Sequence, residues 1–316
     1  MLRNKNFNNN TLFLPTLAIL GLIFLGVIPF VVTPRLSYAF YLMFWMVMAS
    51  SFNIIYGFTG YLPFGYVAFY GVGAYTTAIL WSRLGVPIPI AVLGGGFIGV
   101  LLSLIFAPTL RLQGVYFAIV NLSCAMALRI VVSNLPEEWT GGSLGVSLSS
   151  VYKPLYSYYL MLSLLVITVY VSYYVSKSRF GIALRCIRED PDAAEVLGVN
   201  VVRNRLKAWI LAALFSSFAG GIEAWHTAII DPDSSFNLLI TTKTIIYAMF
   251  GGLGTIIGPI VGSISLYVLD DLIWGKFPLL NMLILGAMVV ILVIFFPRGI
   301  IGSLTRKYPS SRRYVR

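Results

Sequence analysis

Charge is what this sequence has least of. Of its 316 residues 10% are charged, with 11 acidic side chains, one histidine and two cysteines. A soluble globular domain has about a quarter of its residues charged, so this class is excluded. Two cysteines, Cys124 and Cys186, cannot build a disulfide framework, which excludes a stapled secreted module. No G-x-x-x-x-G-K-[ST] phosphate loop occurs, so the chain does not bind ATP in that way. Asp270 and Asp271 are adjacent and point to different helix faces, and the one histidine has no evident partner, so no catalytic set of a membrane enzyme is in view. The expectation is a chain that makes and breaks no covalent bond and holds no cofactor and no metal.

What is abundant is apolar surface: 59% of residues are hydrophobic and the mean hydropathy is +0.88. Disorder is thereby excluded, and the net charge of +11 reads as charge sorted across a bilayer rather than as a nucleic-acid surface. Apolar runs near 20 residues predict spanning helices, because about 30 Å of hydrocarbon needs that many residues at ~1.5 Å each. The fold class expected is all-α, a polytopic transmembrane helical bundle of about ten membrane segments with glycine-interrupted helices. The clearest segments are 13–33, 36–56, 87–110, 154–175, 206–230 and 279–297; shorter or glycine-cut ones are 66–82, 114–134, 242–252 and 255–272. The first run is too long for a cleaved signal peptide and has no small-residue cleavage site before the next span.

Ten crossings put both termini on one side. With that side cytoplasmic, 16 basic residues fall inside, and Arg35, Arg83, Lys153, Lys243 and Lys276 fall outside. This is the positive-inside asymmetry. It predicts a single transmembrane domain over residues 1–316, with an outer loop at about 135–153, an inner loop at about 176–205 and a basic cytoplasmic tail at about 298–316.

Ionisable groups at membrane depth mark function, since burying them is costly. The candidates are Arg129, Glu223 and His226. The last two share a helix face at i, i+3 spacing, either as a polar site or as interfacial groups beside Trp225; the sequence leaves both open.

The inner loop, "SKSRFGIALRCIREDPDAAEVLGVNVVRNRLKAW", contains a short, firmly bounded helix. Asp190 suits the N-cap, Pro191 the first helical position, Asp192 the positive end of the dipole and Gly198 the stop. Ala193, Ala194 and Leu197 give it a small apolar face, suited to a groove of a partner or to a lipid headgroup surface. A second signal is "GGLGTIIGPIVGS", where Gly254, Gly258 and Gly262 recur every four residues after Gly251 and Gly252, with Pro259 interrupting: a broken helix with one close-packing face. A glycine-cut stretch at 57–75 matches it in the first half, and paired interrupted segments point either to a solute pathway or to helix packing.

Together these residues resemble the branched-chain amino acid permease family of ABC importers, of the LivM type. The inner loop from "FGIALRCIREDPDAAEVLG" onward is similar to that family's cytoplasmic loop, which docks into the ATP-binding subunit. "FYGVGAY" (69–75), "TGGSLG" (140–145), "DPDSSF" (231–236), "FGGLGTIIGPIVGSI" (250–264) and "FFPRGIIG" (295–302) match further family motifs in order, so the resemblance runs from about Asn53 to Gly302. It implies a transport subunit, with two cytoplasmic ATP-binding subunits, a second related permease subunit, an extracytoplasmic solute-binding protein and surrounding lipid as partners. It also implies a coupling segment of Gly181, Arg185, Arg188, Asp190, Pro191, Ala193, Ala194, Leu197 and Gly198, with Arg185 and Arg188 as polar contacts to the ATPase. Gly57, Gly60, Gly251, Gly252 and Gly254, with Arg129 and Glu223, are the candidate solute pathway. Two departures bear on the solute. Pro63, Phe64, Gly65 and Tyr66 stand where the family has a Ser-Leu-Gly-His run, and Leu144 stands where Asp or Asn usually follows the TGG element. Branched-chain amino acids, urea and short amides are the solute classes the family implies. An ion-coupled carrier acting alone is the alternative from another class.

Overall fold

The computed structural model describes residues 36–276, together with Gly26, Pro29, Leu283, Gly286, Ala287 and residues 299–301. The expected spans 13–33 and 279–297 and most of the basic tail lie outside the described residues. The helices are α1 (Leu36–Phe52), α2 (Val67–Leu84), α3 (Ile88–Ile105), α4 (Gly114–Asn134), α5 (Glu137–Thr140), α6 (Pro154–Lys177), α7 (Arg179–Glu189), α8 (Pro191–Val196), α9 (Val201–Thr227), α10 (Pro232–Ser235), α11 (Leu238–Gly251) and α12 (Gly258–Lys276). Two-residue strands β1 (Val146–Ser147) and β2 (Ile229–Ile230) pair antiparallel, with Val146 opposite Ile230. The all-α expectation therefore holds apart from this one small ladder.

Among the described residues, five helical segments are long and apolar enough to cross a membrane: Leu36–Gly57, Ile88–Ile105, Gly114–Asn134, Pro154–Lys177 and Val201–Thr227. Segments expected at 66–82, 242–252 and 255–272 are helical, as α2, α11 and α12, but are less apolar or shorter.

The helix ends follow local chemistry. Ser178 Oγ accepts from the Gly181 N–H to start α7, and Asn200 Oδ1 accepts from the Arg203 N–H to start α9. α9 is the central element, packed on α2, α3, α1 and α6. Small residues let it approach α2 closely: Ser217 Oγ donates to the Phe69 carbonyl at 2.9 Å, and a Cβ at Gly73 would collide with the Ser217 backbone. Trp209, fully buried, fixes α9 to α3 by donating from Nε1 to the Ser103 carbonyl at 3.0 Å. α11 and α12 form a hairpin laid against α1. Two helices stand where the separate segments 242–252 and 255–272 were expected, joined through residues 252–257; Pro259 does not interrupt a helix but sits in the first turn of α12, where a missing N–H costs nothing.

Candidate functional site

The short helix in the inner loop forms where local chemistry places it. Asp190 Oδ1 accepts from the Asp192 and Ala193 N–H groups at 2.9 and 3.0 Å, and Gly198 ends the turn at φ +83°, a conformation that favours glycine. α7 leads into it with Gly181, Leu184 and Ile187 turned inward. The three apolar residues of α8 do not share one outward face. Ala194 is 2% exposed and packs on Ile187 and Val201, whereas Ala193 is exposed and Leu197 is 78% exposed. The reason is the turn itself: Val199 N–H donates to the Ala194 carbonyl at 3.0 Å, folding the chain back over that side. Between α7 and α8 lies an open groove of about 360 Å³, lined among others by Ile182, Arg185, Ala193, Ala194 and Leu197. Leu197, Val196 at 89% exposure and Ile182 at 54% leave an apolar surface around it. Arg185, which lines the groove, also donates from Nη2 to the Ser176 carbonyl at 3.1 Å.

Arg188 also makes a contact within the chain. It does not line the groove; its Nη1 donates to the Gly57 carbonyl, 131 residues away in sequence. Gly57 ends a π-helical turn, Asn53–Gly57, that continues α1. Asn53 is buried beside it and bridges to the α11–α12 turn: its Oδ1 accepts from the Gly254 N–H and its Nδ2 donates to the Thr255 carbonyl, both at 2.8 Å. Gly254 has φ +76°, and a Cβ there would stand 2.6 Å from Arg188 Nη1. A Cβ at Gly57 would strike the Asn53 side chain and come 2.8 Å from the Gly254 nitrogen. Gly60 lies next to the Arg188 stem. Gly251 crosses Gly258 and Gly262 within the hairpin, and Gly252 packs against Gly299. The two glycine-cut stretches thus meet, and Arg188 of the inner loop is inserted between them. Gly254 lies in the turn and leaves the face it was expected to share with Gly258 and Gly262.

At the other end of the bundle, Thr140 is buried and Gly145 packs against the backbone of Ile230 and Asp231, so the "TGGSLG" and "DPDSSF" stretches are neighbours. Arg129 belongs to this end: its guanidinium pairs with Asp233 of α10 at the surface, so it is not a lone charge at depth. Glu223 is buried between helices, with Oε1 accepting from Tyr41 Oη at 3.1 Å and Oε2 from Tyr70 Oη at 2.6 Å. His226, one turn on, stacks on Phe40 at 3.7 Å and lies 2.9 Å from Ser157 Oγ through Nδ1. Both are buried near the end of α9, which closes at Thr227. Of the family departures, Tyr66 is fully buried, with its hydroxyl 2.8 Å from Ser51 Oγ and 2.9 Å from the Ala212 carbonyl, while Leu144 is 90% exposed.

A further pair was not anticipated. Lys243 Nζ donates to Asp270 Oδ2 at 2.6 Å across the α11–α12 hairpin, with the Trp45 ring 5.9 Å from the ammonium. Lys243 lies eight residues before Gly251 and Asp270 twelve after Gly258, so both stand about 12–18 Å from the turn at ~1.5 Å per residue. The charge count sets Lys243 on the outer side, and the signal that finds its partner is an opposite charge on each arm of a tight helical hairpin. Among the described residues no three His, Cys, Asp or Glu side chains gather as metal ligands would.

Comparison with known proteins bears on the family of the chain. The family model described as "Branched-chain amino acid transport system / permease component" matches residues 35–293. The high-affinity branched-chain amino acid transport system permease protein LivM of Escherichia coli is 29% identical over 294 residues, covering 82% of this chain and 68% of the relative. The probable branched-chain amino acid transport permease protein LivH of Methanocaldococcus jannaschii is 24% identical over 219 residues, 64% of this chain and 68% of the relative. A shorter match, 33% over 99 residues and 30% of each chain, is to the galactose/methyl galactoside import permease protein MglC of Haemophilus influenzae. No solved structure matches the chain.

Proposed function

This chain belongs to the branched-chain amino acid transport permease family, a multi-pass membrane family, and from that membership we propose that it is the membrane-spanning subunit of an ATP-driven importer. Its cargo in this reading is a branched-chain amino acid or a related small polar solute, with urea and short amides as the alternative classes. The whole chain, residues 1–316, acts as one permease domain of about ten spans with both termini cytoplasmic, in a cell or inner membrane. Its partners are a second related permease, two cytoplasmic ATP-binding subunits and an extracytoplasmic solute-binding protein. The chain itself hydrolyses nothing and carries no cofactor.

The observation that carries the reading is the α7–α8 groove: a capped helix pair of residues 179–196 that, with the Leu197 cap, presents Ile182, Val196 and Leu197 outward beside Arg185. Exposed apolar residues around a concavity favour a protein partner over a headgroup layer. ATP binding closes the ATPase dimer, shifts this segment and rocks the spans between outward and inward openings. The solute path in this reading runs beside Gly57, Gly60, Gly251, Gly252 and Gly254, whose backbone contacts open for passage, with Arg129 and Glu223 as its polar groups.

The test is purification of the chain in mild detergent from its native membrane, with co-purified subunits identified and ATP hydrolysis assayed. Recovery with two ATPases and a second permease is expected. Recovery of a folded chain alone, transporting on an ion gradient, would replace the importer by a secondary carrier.

A further inference from the structure

The importer reading leaves open how a push on the α7–α8 segment reaches the spans, and the geometry answers on residues already described. Resting on that reading, we propose that Arg188 is a positioning residue that latches the coupling segment to the inner ends of α1 and the α11–α12 hairpin, so that the three move as one.

α7 has two working sides. One, with Ile182, Arg185, Cys186 and Glu189, lines the groove; Arg188 is absent from that lining and reaches the bundle instead. Its target is well chosen physically. The Gly57 carbonyl is among the last of a helix, where carbonyls lack intrahelical donors and the helix dipole places partial negative charge, so a guanidinium there is favoured twice. The π turn that carries Gly57 is a rare form found frequently at functional sites. Gly254 has no side chain, and the guanidinium occupies that space: even a Cβ would stand 2.6 Å from Arg188 Nη1. Asn53 supplies the remaining link, because one amide group holds both the N–H of Gly254 and the carbonyl of Thr255. α1 and the hairpin are therefore already tied to each other, and one bond from Arg188 ties both to the coupling segment. Arg188 is solvent-exposed along part of its length, so water can reach the Gly57 carbonyl when the guanidinium is removed, and the cost to folding is that of one hydrogen bond.

The experiment uses the assembled complex in proteoliposomes and measures ATP hydrolysis with and without the purified solute-binding protein added on the opposite side. Stimulation crosses the membrane through this chain and the second permease, so its change on substitution of this chain reads this chain's share of the coupling rather than folding. Arg188→Met keeps the stem and removes the donors. We expect assembly and basal hydrolysis to be retained while stimulation falls about fivefold, the factor set by one partly exposed charge-assisted hydrogen bond. Arg188→Lys, which still donates to the Gly57 carbonyl, restores most of it. Undiminished stimulation in Arg188→Met overturns the latch. So does loss of assembly or of basal and stimulated rates in proportion, which would make Arg188 a scaffold contact. A native complex that contains ATPases but shows no stimulation, or a chain that recruits no ATPase at all, overturns the importer reading itself.

Discussion

A carboxylate inside an apolar bundle persists where donors meet both of its oxygens, and Tyr41 and Tyr70 do this for Glu223. Tyr70→Phe removes the shorter of the two bonds and leaves a buried oxygen without its donor, which should cost about 1–3 kcal/mol. The loss is read as a lowered thermal unfolding midpoint of the detergent-solubilised chain; Tyr41→Phe, on the longer bond, should lower it less. Lys243 and Asp270 behave differently because they are an ion pair, made through Oδ2 of Asp270. Asp270→Asn strands a largely buried ammonium and should destabilise by roughly 3 kcal/mol, whereas the double replacement Lys243→Met with Asp270→Leu should recover most of that stability. If the double variant proves no more stable than Asp270→Asn, the pair is not the source of the effect. The sequence marked Glu223 and His226 as sharing a face but could not reveal their partners. Tyr41 lies 182 residues from Glu223 and Tyr70 lies 153, and nothing in local spacing encodes such contacts.

At the level of elements, what could be read ahead was what is decided within one helical turn. Asp190, Pro191 and Gly198 bound α8 as their chemistry requires, since a cap, a fixed φ and a left-handed stop act on neighbours only. The orientation of α8 was not readable, because which side turns inward depends on Ile187 and Val201 from the flanking helices. This changes which substitution tests docking. Ala194→Glu would place a charge into the packing of α8 on α7 and unfold the segment whether or not a partner binds there. Leu197→Glu alters an exposed side chain and should leave the membrane-inserted chain intact while the co-purified ATPase falls at least tenfold, as for a lost apolar anchor of about 1.4 kcal/mol or more. Unchanged recovery of ATPase would place the docking surface elsewhere. The α11–α12 hairpin shows the same division. Its glycines announced close backbone approach, but that Gly251 meets Gly258 and Gly262 of the next helix, rather than a distant span, required the turn at 252–257 to be seen.

The molecule as a whole separates into two ends, and the residues at each end are brought together from distant parts of the chain. Gly57, Arg188, Gly254 and Thr255 meet at one; residues 140–145, β1, β2 and the Arg129–Asp233 pair meet at the other. The charge count predicts that the first of these ends faces the cytoplasm, through the basic residues of the 176–205 loop. An odd number of crossings between any two members of one group would have split it between the ends, so the grouping and the charge rule support each other from independent sources. Orientation then follows as a single prediction. Leu144, 90% exposed, and Leu197, 78% exposed, mark the two ends. In a chain with Cys124 and Cys186 replaced by alanine, Leu144→Cys should react with an impermeant maleimide added to intact cells. Leu197→Cys should react only after the membrane is opened, and less when the ATPases are bound over it. Reaction of Leu197→Cys from outside in intact cells would invert the bundle, and with it the direction in which the coupling segment faces.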